Sequence, residues 1–87
     1  MKTLFILMAQ YDGLAVVPLE RVCADYFPHL LPEKLLRKVL AGQLRLPITR
    51  IEPSQKAARG VHIQDLADYI DARRDEALKG LEKLHHR

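Results

Sequence analysis

Lys34, Arg37 and Lys38, together with the small Ala41, recur at i, i+3, i+4 and i+7 between Pro32 and Gly42. That spacing puts side chains on one face of an α-helix. Cationic groups in this arrangement neutralise phosphates, and an arginine among them has the fork geometry to take a guanine edge with two hydrogen bonds. Arg37 lies mid-face between the two lysines and is the candidate base reader. Leu35, Leu36, Val39 and Leu40 fall on the other side of the same segment. A helix with one apolar and one basic face is suited to lying against phosphates, and Ala41 leaves a spot where the backbone comes close to its target. Pro32 fits the first helical position and Gly42 the stop.

The basicity is local. Between Pro32 and Gly60, seven Lys/Arg (Lys34, Arg37, Lys38, Arg45, Arg50, Lys56, Arg59) face Glu33 and Glu52, leaving +5, whereas residues 1–31 and 61–87 each come to −1. The whole chain is only +3, so a weakly basic protein carries one strongly basic third, where a polyanion is expected to bind. Basic helix faces are most often plain solvated surface. Here the helix, the segment after it and the stretch Gln55–Arg59 share one sign, which favours the polyanion. The candidate DNA-binding residues are Lys34, Arg37, Lys38, Arg50, Gln55, Lys56 and Arg59.

Other chemistries lack their residues. There is no glycine-rich phosphate loop and no His-Glu motif on a helix. Cys23, the single cysteine, falls on an apolar helical face without a neighbouring base and reads as a packed core thiol. One cysteine also excludes an intrachain disulfide and fits a reducing cytoplasm. His62 alternates within a strand-like run, where a structural or exposed role is the simpler reading. His85 and His86 are adjacent, so on a helix they diverge and make a poor metal pair. No enzyme activity, cofactor or metal is expected.

The apolar run Leu4–Ala9 is too short to span a bilayer. Polar Gln10, Tyr11 and Asp12 follow it without a small-residue cleavage site, so it does not read as a signal peptide. No membrane association is expected, and the reading is of a cytoplasmic, nucleoid-associated protein.

The elements that must position the basic residues follow from the rest of the pattern. At 87 residues, 48% hydrophobic and 29% charged, one globular domain spanning 1–87 is expected. Thr3 caps a helix over Leu4–Tyr11 with Leu4, Leu7, Met8 and Tyr11 on one side; the same run also fits a buried strand, the helix being preferred. Asp12-Gly13 is a turn signal, and Ala15-Val16-Val17 before Pro18 reads as a short strand. Leu19–Tyr26 has Leu19, Val22, Cys23 and Tyr26 at core spacing. Two short helices joined tightly, the second one basic, outline a helix-turn-helix over about 19–41. Leu44, Leu46, Ile48 and Ile51 then suggest an edge strand around Pro47, Pro53–Gly60 a basic hairpin loop and Val61-His62-Ile63 the returning strand, a β-hairpin wing over about 44–63. A long helix over about 64–84 closes the chain. The fold class is therefore α+β, mostly helical, a winged helix-turn-helix with a long C-terminal helix. The distal half of that helix (Ile70, Ala77, Leu78, Leu81, Leu84) is longer than the domain needs, and a homodimer through it is one expectation.

Several blocks resemble the pyocin activator family of small bacterial transcriptional activators. They are Leu4-Phe5, Leu7-Met8-Ala9-Gln10-Tyr11, Asp25-Tyr26-Phe27, Pro32-Glu33-Lys34-Leu35-Leu36-Arg37-Lys38, Leu46-Pro47, Ser54-Gln55-Lys56, Gly60-Val61-His62 and Gln64-Asp65-Leu66-Ala67-Asp68-Tyr69. The order of elements is also similar to the excisionase and MerR-type winged helix group, a fold-level analogy. The resemblance implies a sequence-specific protein that binds double-stranded DNA and activates bacteriocin or prophage genes once a stress signal relieves its own repression. RNA polymerase would then be a partner. Two alternatives share the residues: an excisionase-like architectural protein that bends DNA, and an adaptor whose basic face meets an acidic protein.

Overall fold

The first helix, α1 (Thr3–Gln10), contains no charged residue and is apolar on all sides, so burial chooses its inner face. Leu7 and the following Tyr11 are fully buried, Leu4 is half-buried, and Phe5, Ile6 and Met8 stay exposed. Thr3 does not cap it. Lys2 occupies that position, and the Thr3 hydroxyl instead donates to Asp71 Oδ1 at 2.6 Å. Asp12 and Gly13 take left-handed φ of 52° and 77°, and the Gly13 amide returns to the Met8 carbonyl at 2.8 Å, the six-residue closure that ends many helices.

The computed structural model describes residues 2–54 and 57–85. After α1 come β1 (Val16–Pro18), α2 (Leu19–Tyr26), α3 (Pro32–Leu40), β2 (Thr49–Arg50), β3 (Arg59–His62) and α4 (Ile63–His85). The result is an α+β chain, mostly helical, with four helices and one small antiparallel sheet among the described residues. The sheet order is β1-β3-β2. Val17 pairs with Val61 and Pro18 with Gly60 on one side of β3; Thr49 pairs with Gly60 and Arg50 with Arg59 on the other.

The core gathers Leu7 and Tyr11, Val17 and Val61 from the sheet, Leu19, Val22, Cys23 and Phe27 from α2 and its end, Leu35 from α3, Leu46, and Ile63, Leu66 and Ala67 from α4. Polar ties fix how the elements meet. Tyr11 donates to Asp25 at 2.6 Å and Tyr26 to Gln10 at 2.7 Å, holding α1 against α2. The Cys23 thiol donates to the Leu30 carbonyl at 3.2 Å, which stitches α2 to the connection entering α3. Burial raises its pKa, so it remains an unreactive thiol. His62 precedes α4 and its Nδ1 accepts the Gln64 amide at 3.0 Å, taking up one of the free donors of the helix start.

The segment between α3 and the hairpin departs from the strand expected there. Leu46 is buried and Leu44 and Ile48 half-buried, so the alternation is real. The ladder itself covers only Thr49–Arg50. Ile51 ends up 67% exposed beyond it, and the exposed sides of Met8 and Leu40 likewise differ from the core faces assigned to them.

Candidate nucleic-acid interface

Helix α3 is framed on both sides by its sequence. Pro32 stands at its first position, and Gly42 at φ 76° closes it, with the Gly42 and Gln43 amides returning to Val39 and Lys38 at 3.0 and 2.9 Å. This paired return needs a residue at positive φ, which glycine adopts without strain. Leu35 goes fully into the core, with Leu36 and Val39 half-buried beside it. The rotation of α3 is thereby fixed, and Lys34, Arg37, Lys38 and Ala41 all lie on solvent-exposed positions. Leu40 is 75% exposed, one helical step from Arg37 on the same outer side. Its apolar type hid it from the sequence reading; its position three residues after Arg37 was the available signal.

The hairpin contributes a second cationic group. Arg50 in β2 stands directly opposite Arg59 in β3, and directly paired residues project to the same face of a sheet with Cβ atoms about 4.5–5.5 Å apart. Arg50 is exposed and Arg59 partly so. The Ile51 amide reaches the Ala58 carbonyl at 3.3 Å, so the pair sits just inside the hairpin's loop. Like charges directly opposite one another destabilise a sheet unless an anion lies between or over them. The strands were expected from the sequence, but this register was not, because register depends on loop geometry. Gln55 and Lys56, the other two loop candidates, lie outside the described residues.

The structure therefore assembles the candidates into two groups: Lys34, Arg37 and Lys38 on one helix, Arg50 and Arg59 on one hairpin. α3 packs chiefly on α2 rather than on the strands. Arg45, which the charge count assigned to the basic third, belongs elsewhere. It lines an open groove between residues 43–47 and α4, shared with Asp65, Asp68, Tyr69 and Arg73.

Among the described residues, no three His, Cys, Asp or Glu side chains converge as metal ligands. No helix among them is long and apolar enough to cross a membrane. The titrating groups that stand out are structural. Tyr11 is raised well above the ordinary phenol range by burial first and by its hydrogen bond to Asp25 second, and Tyr26 is raised by burial.

A family model described as pyocin activator protein PrtN matches residues 3–77. The chain belongs to this family. The match takes in every element from α1 through the middle of α4, including both cationic groups. The family's name is that of a regulator of pyocin genes, which agrees with the resemblance read from the sequence blocks. No curated protein and no solved structure matches the chain.

Proposed function

We propose that the chain is a sequence-specific, double-stranded-DNA-binding activator of pyocin-like bacteriocin or prophage genes, working without enzymatic chemistry in the cytoplasm at the nucleoid. In this reading α2 and α3 form a helix-turn-helix, and β2, β3 and their loop form a wing. The observation that carries it is the Arg50–Arg59 cross-strand pair, two like charges on one hairpin face whose natural complement is a phosphate. The exposed basic face of α3 supports it independently.

The roles divide by geometry. α3 enters the major groove, where Arg37 takes a base edge and Lys34 and Lys38 take neighbouring phosphates or edges. Leu40 and Ala41 supply apolar contact of the kind that reads a thymine methyl. Arg50 and Arg59, with Gln55 and Lys56 of the same loop, grip the backbone or the minor groove. Surface carboxylates such as Asp65, Asp68 and Asp71 are the candidates for meeting RNA polymerase.

The test is a titration of the protein against the DNA upstream of the neighbouring operon and against a scrambled fragment, at two salt concentrations. Preference for the upstream fragment at both salts is expected. Arg37→Ala should erase most of that preference, at a cost of about 1–3 kcal/mol. Arg50→Ala should weaken both fragments about equally and reduce the salt slope by roughly one unit. Equal and steeply salt-dependent binding of both fragments by the unaltered protein would instead favour an architectural, DNA-bending role. Absence of any salt-dependent binding would favour an acidic protein partner.

A further inference from the structure

Helix α4 leaves the body of the protein. Ile63, Leu66 and Ala67 are buried and Tyr69 and Ile70 half-buried against the core, but every residue from 71 to 85 is exposed. At 1.5 Å per residue that overhang is about 22 Å long, and it accounts for a molecule measuring 53 Å along one axis but 30 and 21 Å along the others. Short helices without tertiary contacts are marginal in water. This one also carries an apolar stripe. Ala77, Leu78, Leu81 and Leu84 continue the spacing of Ile63, Leu66 and Ile70, with the three leucines 40, 51 and 75% exposed. Asp75, Glu76, Lys79, Glu82 and Lys83 fall on the opposite side.

We infer that the overhang is covered by the overhang of a second copy of this chain, in an antiparallel pair whose twofold axis passes at Leu81. Leu78 and Leu84 each lie three residues from Leu81, so the stripe is self-complementary in that orientation, as an isologous interface requires. Leu81 meets its own counterpart, and Leu78 meets the Leu84 position of the second copy. Charge permits the approach, because residues 74–85 hold three cations (Arg74, Lys79, Lys83) and three anions (Asp75, Glu76, Glu82). The same neutrality argues against a lipid surface, since interfacial helices are enriched in Lys and Arg on their polar face. The three leucines alone expose well under the roughly 800 Å² per partner of a standard interface, so the pair is a small one that forms at micromolar rather than nanomolar concentrations.

Equilibrium sedimentation without DNA tests this separately from the DNA reading, whose success or failure leaves the result unchanged. The unaltered protein should be dimeric at tens of micromolar, and Leu81→Asp, at an exposed position, should raise the dimer dissociation constant at least about 100-fold by placing two carboxylates on the axis. Under mild oxidation Leu81→Cys should form a disulfide-linked dimer. Lys79→Cys on the opposite face should not, nor should the unaltered protein, whose single thiol Cys23 is buried. An unaltered protein that sediments as a monomer, a Leu81→Asp variant that still dimerises, or cross-linking at Lys79→Cys as efficient as at Leu81→Cys would each overturn the proposal.

Discussion

The two halves of α4 carry one apolar repeat and meet opposite surroundings. In the first half Leu66 is fully buried in the core; in the second Leu81 is half exposed and lies outside that core. Periodicity alone therefore does not decide what a helical face does. What decides is how far the rest of the chain reaches, and in this domain it reaches to about Ile70. Helix α1 repeats the contrast across its width, with Leu7 buried and Phe5 and Ile6 bare.

Substitutions at the two halves of α4 should separate sharply. Leu66→Ala is expected to cost about 2–5 kcal/mol, through lost burial and the cavity left behind. In a domain of this size that lowers the melting temperature by on the order of 10 °C or more. Leu81→Ala, followed by circular dichroism at submicromolar protein, should stay within about 0.5 kcal/mol of the unaltered chain. A large loss at Leu81 under those dilute conditions would mean that the overhang packs on its own body.

Two glycines sharpen the same contrast at the next level of effect. A Cβ on Gly60 would stand 2.5 Å from the Val17 carbonyl oxygen and 2.6 Å from a Val16 methyl, whereas a Cβ on Gly80 meets nothing within 4 Å. Gly60→Ala must push β1 off β3 and is expected to destabilise by roughly 1–3 kcal/mol, as overpacking does. On the proposal that the Arg50–Arg59 pair grips DNA, it should also lower DNA affinity, since Arg59 adjoins Gly60 and its pairing with Arg50 would be displaced. Gly80→Ala should stabilise by up to about 1 kcal/mol, from helix propensity alone. Urea unfolding of both variants checks the opposite signs.

Where burial and local stereochemistry agreed, the sequence was legible. Pro32 and Gly42 frame α3, and Leu35, Leu36 and Val39 turn its basic side outward. The segment after it shows where legibility ends. Leu44, Leu46 and Ile48 alternate because alternate residues do face inward, yet alternation says nothing about whether a neighbouring backbone is within hydrogen-bonding reach. In this segment only Thr49–Arg50 pairs with β3, and Pro47 has no amide to offer. Leu40 and Ile51 look like core residues by type and are exposed by position. The Arg50–Arg59 pair needed the strand register, which no local pattern encodes.

The smallest effect tests whether the body is held by polar contacts as well as by packing. Tyr11→Phe keeps the buried ring and removes only the hydroxyl that donates to Asp25, so at neutral pH it should cost about 1 kcal/mol. Arg21, 4.8 Å from the ring centre, should be little disturbed. The pH dependence is the sharper readout. Burial and the Asp25 hydrogen bond raise the Tyr11 pKa above its ordinary value of 10.0, so the folded chain holds this proton more tightly than the unfolded one. The stabilisation is fully present below that ordinary value and is lost as pH rises above it towards the folded pKa. Tyr26, also raised, adds a weaker contribution of the same sign. Stability measured from pH 8 to pH 11 should fall less steeply in Tyr11→Phe than in the unaltered protein. Equal slopes would show that the phenol ionises as easily folded as unfolded, and that the Tyr11–Asp25 contact adds nothing to the packing of α1 on α2.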